Sequence, residues 1–170
     1  MENLYLQCYK LKNILRRGWI LRELNVERFE SDAEHIFSCC ILAIEIMEKE
    51  KLCLNQEKVL KMILFHEFGE ILAGDITPND NVSKEDKYAK EKECIESFSK
   101  DFDMTQMLEL WLEFEEGKTK EATFCKAMDK LDAVMQARVY SNQFDDDSLF
   151  EEFYKHSEEI IKDYKKYLNF

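Results

Sequence analysis

VLKMILFHEFGEILAGDITP, running from Val59 to Pro78, begins as seven residues of core broken only by Lys61 and ends in a histidine, three carboxylates and two glycines. The apolar part suits a helix buried by neighbours on several sides. At about 100° per residue, Glu67 lies about 100° from His66 and Glu70 returns to within about 40° of it, so a continued helix would project all three into one sector. An unpaired carboxylate in such a place costs several kcal/mol and stays protonated unless a cation faces it. This segment holds no Lys or Arg after Lys61. A metal ion is the economical cation.

A second apolar stretch, IFSCCILAIEIM (36–47), is also expected to be buried all round, and His35 stands on its ridge with Cys39, Leu42 and Ile46. A lone histidine on an apolar face is commonly a satisfied core residue. Here two of the chain's three histidines fall in its two most apolar helices, and one is followed by a carboxylate. The third, His156, lies in a charged segment and is expected at the surface. A further ligand must come from elsewhere, and KAMDKLDAVMQA (126–137) offers Asp129 and Asp132 beside the apolar stripe Phe124, Met128, Leu131 and Met135. Two histidines with two carboxylates suit Mn, Co, Fe, Mg or Zn.

The whole chain reads as all-α. It has one proline and four glycines in 170 residues, and nearly every segment carries a 3.6-residue apolar period. The expectation is a single domain, residues 1–170, of six to seven helices around a buried metal site. A first helix spans about 4–15 and ends near Gly18. Ser31-Asp32-Ala33-Glu34 reads as a capping box opening a helix to about Lys51. Asn55 caps the next, which runs to Gly74, and a turn carries Pro78. Further helices span about 84–100, 105–115, 119–141 and 146–168. The helix KEDKYAKEKECIESFSK (84–100) is charged on most faces and reads as solvated.

Thirty-six acidic against 24 basic residues give a net charge of −12, which argues against a nucleic-acid polymer while leaving a small phosphorylated molecule open. The six cysteines, none in C-x-x-C spacing, read as reduced core residues of a cytoplasmic protein. No apolar run reaches membrane-spanning length.

RRGW (16–19), ESDAEHI (30–36), HEFGEILAGDITPND (66–80), ELWLEFEEG (109–117) and KAMDKLDAVMQA (126–137) together resemble, in order, the motifs of the HD-domain 5′-deoxynucleotidases within the HD-domain phosphohydrolase superfamily. The resemblance implies metal ligands His35, His66, Glu67 and Asp129, with Asp132 a neighbour rather than a ligand. It implies Glu70 as catalytic acid/base, Asp75 as a second pocket carboxylate, and Arg16 and Trp19 at the phosphate and sugar of the substrate, Arg17 being the alternative to Arg16. The activity implied is release of phosphate from (deoxy)nucleoside 5′-monophosphates by a metal-activated water, in a homodimer. One departure stands out: the family's doublet is His-Asp, and here it is His66-Glu67. The alternative is therefore a domain that binds nucleotide or metal without turnover. HEFGE also resembles the zinc-protease helix H-E-x-x-H, which would require another ligand downstream. A purely structural bundle would require His66, Glu67 and Glu70 to be paired with Arg or Lys.

Overall fold

Ser31 starts the helix that carries His35: its side chain accepts from the Glu34 amide while Glu34 reaches back to the Ser31 amide, closing the expected capping box. The computed structural model describes residues 3–77, 80–144 and 146–168; the turn expected at Pro78 lies outside them. The elements are α1 (Leu4–Leu11), α2 (Arg17–Ile20), α3 (Asp32–Lys49), α4 (Gln56–Phe65), α5 (Glu70–Ala73), α6 (Lys84–Asp101), α7 (Thr105–Glu116), α8 (Lys120–Phe144), α9 (Ser148–Ser157) and a final 3-10 helix, Lys162–Leu168. Among the described residues the only β pairing is an isolated bridge between Leu15 and Ser31.

Helix α8 is the axis, packing against α3, α4, α7 and α9. Ala43 and Ile46 of α3, Val59 and Met62 of α4, and Met128 and Leu131 of α8 are fully buried in one core. Full burial of an aliphatic side chain contributes about 1.5–3 kcal/mol, so this core fixes α3 and α4 against α8. A second core joins α1, α5, α6 and α7 around Ile95 and Trp111.

Several expected boundaries change. The first helix stops at Leu11, because Ile14–Arg16 runs extended beside 30–32: Arg16 N donates to Glu30 O at 2.9 Å and Asp32 N to Ile14 O at 3.0 Å. Gly18 is not the breaker and sits inside α2. The segment expected as one helix over 146–168 breaks after Ser157, where Ile161 turns into the core, 0% exposed. Helix α3 is not covered all round, since Phe37 is 67% and Ile41 49% exposed.

The break that matters most comes after Phe65. Instead of continuing to Gly74, the chain tightens through residues 66–69, with Phe68 N bonding Phe65 O at 3.1 Å and Glu70 N bonding Glu67 O at 3.0 Å. Bonds that reach three residues back advance each residue about 120° rather than 100°, so a sector drawn on a regular helix does not survive here. Gly69 permits the close approach of α6 to this turn: a Cβ on it would stand 2.6 Å from Glu91 Cβ and 3.1 Å from Glu91 Cα. Glycine to alanine in a helix ordinarily stabilises by about 1 kcal/mol. Gly69→Ala should reverse that sign, lowering stability by about 1–3 kcal/mol, as read from urea unfolding midpoints.

Candidate metal centre and its cleft

His35 enters the centre from the first turn of α3 and is wholly buried. Its Nδ1–H donates to Asp132 Oδ2 on α8 at 2.6 Å. That bond turns Nε2 toward Asp129 Oδ1, 3.3 Å away, and Glu67 Oε1, 3.7 Å away. His66 is the C-cap of α4, and its Nδ1–H donates to Ile63 O at 2.6 Å, satisfying a carbonyl that the helix end would otherwise orphan. Its Nε2 lies 3.5 Å from Glu67 Oε1 and has no hydrogen-bond partner. Both imidazoles thus have one nitrogen committed and the other aimed inward. One donor atom from each of His35, His66, Glu67 and Asp129 lies within 4.8 Å of every other. Two imidazole nitrogens and two carboxylate oxygens fit a borderline or hard divalent cation, and the unpartnered His66 nitrogen is the feature that internal pairing leaves unexplained.

The carboxylates around this point draw positive charge toward it. Burial alone would push His35 down, but its bonds to Asp129 and Asp132 outweigh that and raise its pKa well above the ordinary histidine value. Burial likewise opposes the charge on Glu67, yet the cations beside it, Arg16 and His35, hold its carboxyl well below the usual range. His66, equally buried, is lowered by that burial, which leaves its Nε2 lone pair open, whereas His35 would have to give up its proton to a metal.

The expectation that a metal ion is the economical cation for these carboxylates is corrected in part. Arg16 reaches in from the start of α2, Nη1 to Glu67 Oε1 at 2.7 Å, and Lys130 Nζ stands 2.9 Å from Asp129 Oδ2. Arg17 does not take the Arg16 position: its amide donates to Asp75 Oδ2 at 2.6 Å and its side chain pairs with Asp80 at 2.6 Å. Glu70 does not join His66 and Glu67. It groups instead with Asp32 and Asp75, again within 4.8 Å, and Lys87 Nζ lies 3.3 Å from its Oε1. Burial, then the charges of Glu67 and Asp75, raise Glu70 well above the usual carboxylate range.

A cleft of about 550 Å³ opens beside these groups, bordered by Arg16, Arg22, Lys87, Lys130, Asp75 and His156 among others. Four bases against two acids, Asp75 and Glu152, border it, a local excess of positive charge in a chain of net charge −12. Trp19 borders the cleft but is 2% exposed, stacked on Phe153 at 4.5 Å with its Nε1–H donated to Glu30 Oε2 at 3.1 Å. It is a fixed wall rather than a projecting platform. His156 is exposed on the rim, its Nδ1–H given to Glu152 O at 2.7 Å, and is not part of the centre. Asp32, Lys87 and Lys130 escaped the sequence reading. In the sequence Asp32 reads as part of a capping box, Lys87 as part of a charged helix, and Lys130 stands out only as the neighbour of Asp129.

A family model described as "HD domain" matches residues 8–168. The chain belongs to the HD-domain family. Among proteins similar to this HD domain is a 5′-deoxynucleotidase HDDC2 of Xenopus laevis, 36% identical over 134 residues, which are 77% of this chain and 64% of that protein. The chain thus spans just under two thirds of that relative's length. The 5′-deoxynucleotidase HDDC2 of Dictyostelium discoideum is 34% identical over 80% of this chain and 75% of its own. The crystal structure of the PH0347 protein from Pyrococcus horikoshii OT3 matches with TM-score 0.77 at 29% identity, covering 97% of this chain and 94% of that one.

Two outcomes follow for this HD domain. Asp132→Asn, which weakens the group that orients His35, should lower divalent-cation affinity about 10–100-fold in calorimetric titration. Asp32 is pushed up from 3.8 to about 7, first by burial and then by the charge of Glu67. Its native state therefore holds a proton that the unfolded chain releases near 3.8, so this group's contribution falls as pH rises toward about 7. Asp32→Asn should raise the Tm of chelator-treated protein at pH 8, with the gain shrinking toward pH 4.

Proposed function

We propose that this HD domain is a metal-dependent phosphohydrolase that removes phosphate from (deoxy)nucleoside 5′-monophosphates, with His35, His66, Glu67 and Asp129 holding the divalent cation. The observation that carries the proposal is the convergence of two Nε2 atoms, each fixed by a committed Nδ1–H, with two carboxylates beside a cation-bordered cleft. That similar proteins are 5′-deoxynucleotidases supports the substrate class. When bound, a divalent cation neutralises phosphoryl oxygens and makes water acidic enough to attack at neutral pH.

The chain's own residues do the rest. Arg16 and Lys130 line the cleft on the side of Glu67 and Asp129, so a phosphate dianion entering there meets a guanidinium suited to its oxygens and an ammonium. Glu70, buried among acids and held protonated, is the group suited to deliver a proton to the departing 5′ oxygen. Asp75, fixed by the Arg17 amide, orients water or substrate from the neighbouring loop. Trp19 closes the sugar side as a rigid wall.

The metal is drawn from Co, Mn, Mg, Fe or Zn. A homodimer is supported by the exposed Phe37 and Ile41, four residues apart on one face of α3. A cytoplasmic setting is supported by six unpaired thiols, of which Cys39, Cys94 and Cys125 are buried as apolar groups. No described helix is long and apolar enough to cross a membrane.

One observation favours a second reading, binding without turnover: Glu67, the residue that departs from the family doublet, is engaged by Arg16. Orthophosphate release from a panel of deoxy- and ribonucleoside 5′-monophosphates separates the two. Chelator-stripped protein reloaded with each metal should release phosphate, and Asp129→Ala should abolish it. Silence from the wild type with release from Glu67→Asp would mean that the longer side chain has switched the chemistry off.

A further inference from the structure

We propose that Lys87 is a positioning residue for this reaction: its ammonium ties Glu70 to the loop carrying Asp75 and thereby fixes where the Glu70 carboxyl points. The inference rests on Glu70 being the proton donor put forward above.

Lys87 lies in the first turn of α6, in the helix that reads as merely solvated. Its Nζ stands 3.3 Å from Glu70 Oε1, donates to Ile76 O at 3.0 Å, and stands 3.3 Å from Glu91 Oε1. Three segments therefore meet at one nitrogen: the short helix α5, the loop immediately after Asp75, and α6 itself. Glu91, one turn along, also presses its Cβ against the Gly69 turn that leads into Glu70. The node is braced on both sides.

The tether matters because of what else surrounds Glu70. Its side chain is buried, and its close carboxylate neighbours are Asp32 and Asp75, with Glu67 adding to the negative field. Glu70 Oε2 is buried and meets no nitrogen donor, and Asp32 is the carboxylate with which the Glu70 side chain hydrogen-bonds. A carboxyl with no cation on it would be free to rotate away from these like charges. An ammonium only donates, so Oε1 must accept and a proton carried by Glu70 belongs on Oε2. One contact thus selects both the rotamer and the oxygen that can give up a proton. The same ammonium holds the Ile76 carbonyl, so Glu70 and the Asp75 loop are set at a constant separation.

Lys87 also borders the cleft, which supplies the rival role of gripping substrate phosphate directly, and the two leave different kinetic marks. Lys87→Met keeps the stem and removes the charge; Lys87→Arg keeps a donor. If Lys87 acts through Glu70, Lys87→Met should lower kcat about tenfold or more while KM changes less than about threefold. Lys87→Arg should recover part of the rate. The double variant Lys87→Met/Glu70→Gln should be no slower than Glu70→Gln alone, because the second change removes what the first acts upon. A raised KM with unchanged kcat, or losses that multiply in the double variant, would overturn the proposal. Should the wild type release no phosphate, the nucleotidase reading falls on its own account and the crystal structure of Lys87→Met decides this one. A Glu70 carboxyl turned away with the 74–77 loop displaced supports the tether; an unmoved carboxyl and loop contradict it.

Discussion

The bond from His35 Nδ1 to Asp132 constrains most of what surrounds it. Asp129 and Asp132 are three residues apart on α8, hence on one face, and the wholly buried imidazole lies between them with one nitrogen toward each. A polar ring sealed from water is tolerable only when both nitrogens have partners. The register of α3 on α8 is therefore set to one position. The packing of Cys39, Met128 and Leu131 alongside holds that register, and it aims Nε2 at the point where His66 and Glu67 arrive from the end of α4.

Charge is arranged in layers around that point. The carboxylates of Glu67, Asp129 and Glu70 each have a cation beside them that also borders the cleft: Arg16, Lys130 and Lys87 respectively. A protein of net charge −12 can thus gather bases at one mouth, where Arg16, Arg22, Lys87 and Lys130 stand against Asp75 and Glu152. Such partly buried pairs owe more to position than to attraction, since desolvation offsets much of the Coulomb gain. Their service here is to keep side chains aimed and to set the local field that an anionic substrate meets.

What could be read from the sequence was local. The Ser31 box, the Asn55 cap and the apolar ridges of α3, α4 and α8 follow from spacings of three and four residues, and with them came the all-α architecture and the inward placement of His35 and His66. Glu70 departs from that local pattern. A regular step of about 100° through 66–69 would set it beside His66, whereas the chain tightens there, Gly69 lying close against Glu91, and Glu70 groups with Asp32 and Asp75. The cations were out of reach for another reason. Arg16 is 51 residues from Glu67 and Lys87 is 17 from Glu70, and no local pattern announces such pairs. Only tertiary packing brings them together.

The measurement that bears most directly on this account is anomalous diffraction from crystals soaked in Mn or Co. The account predicts a single strong peak bonded to His35 Nε2, His66 Nε2, Glu67 and Asp129, with Asp132 still holding His35 Nδ1. A Glu67 carboxylate still paired with Arg16, and no peak between the two imidazoles, would contradict it.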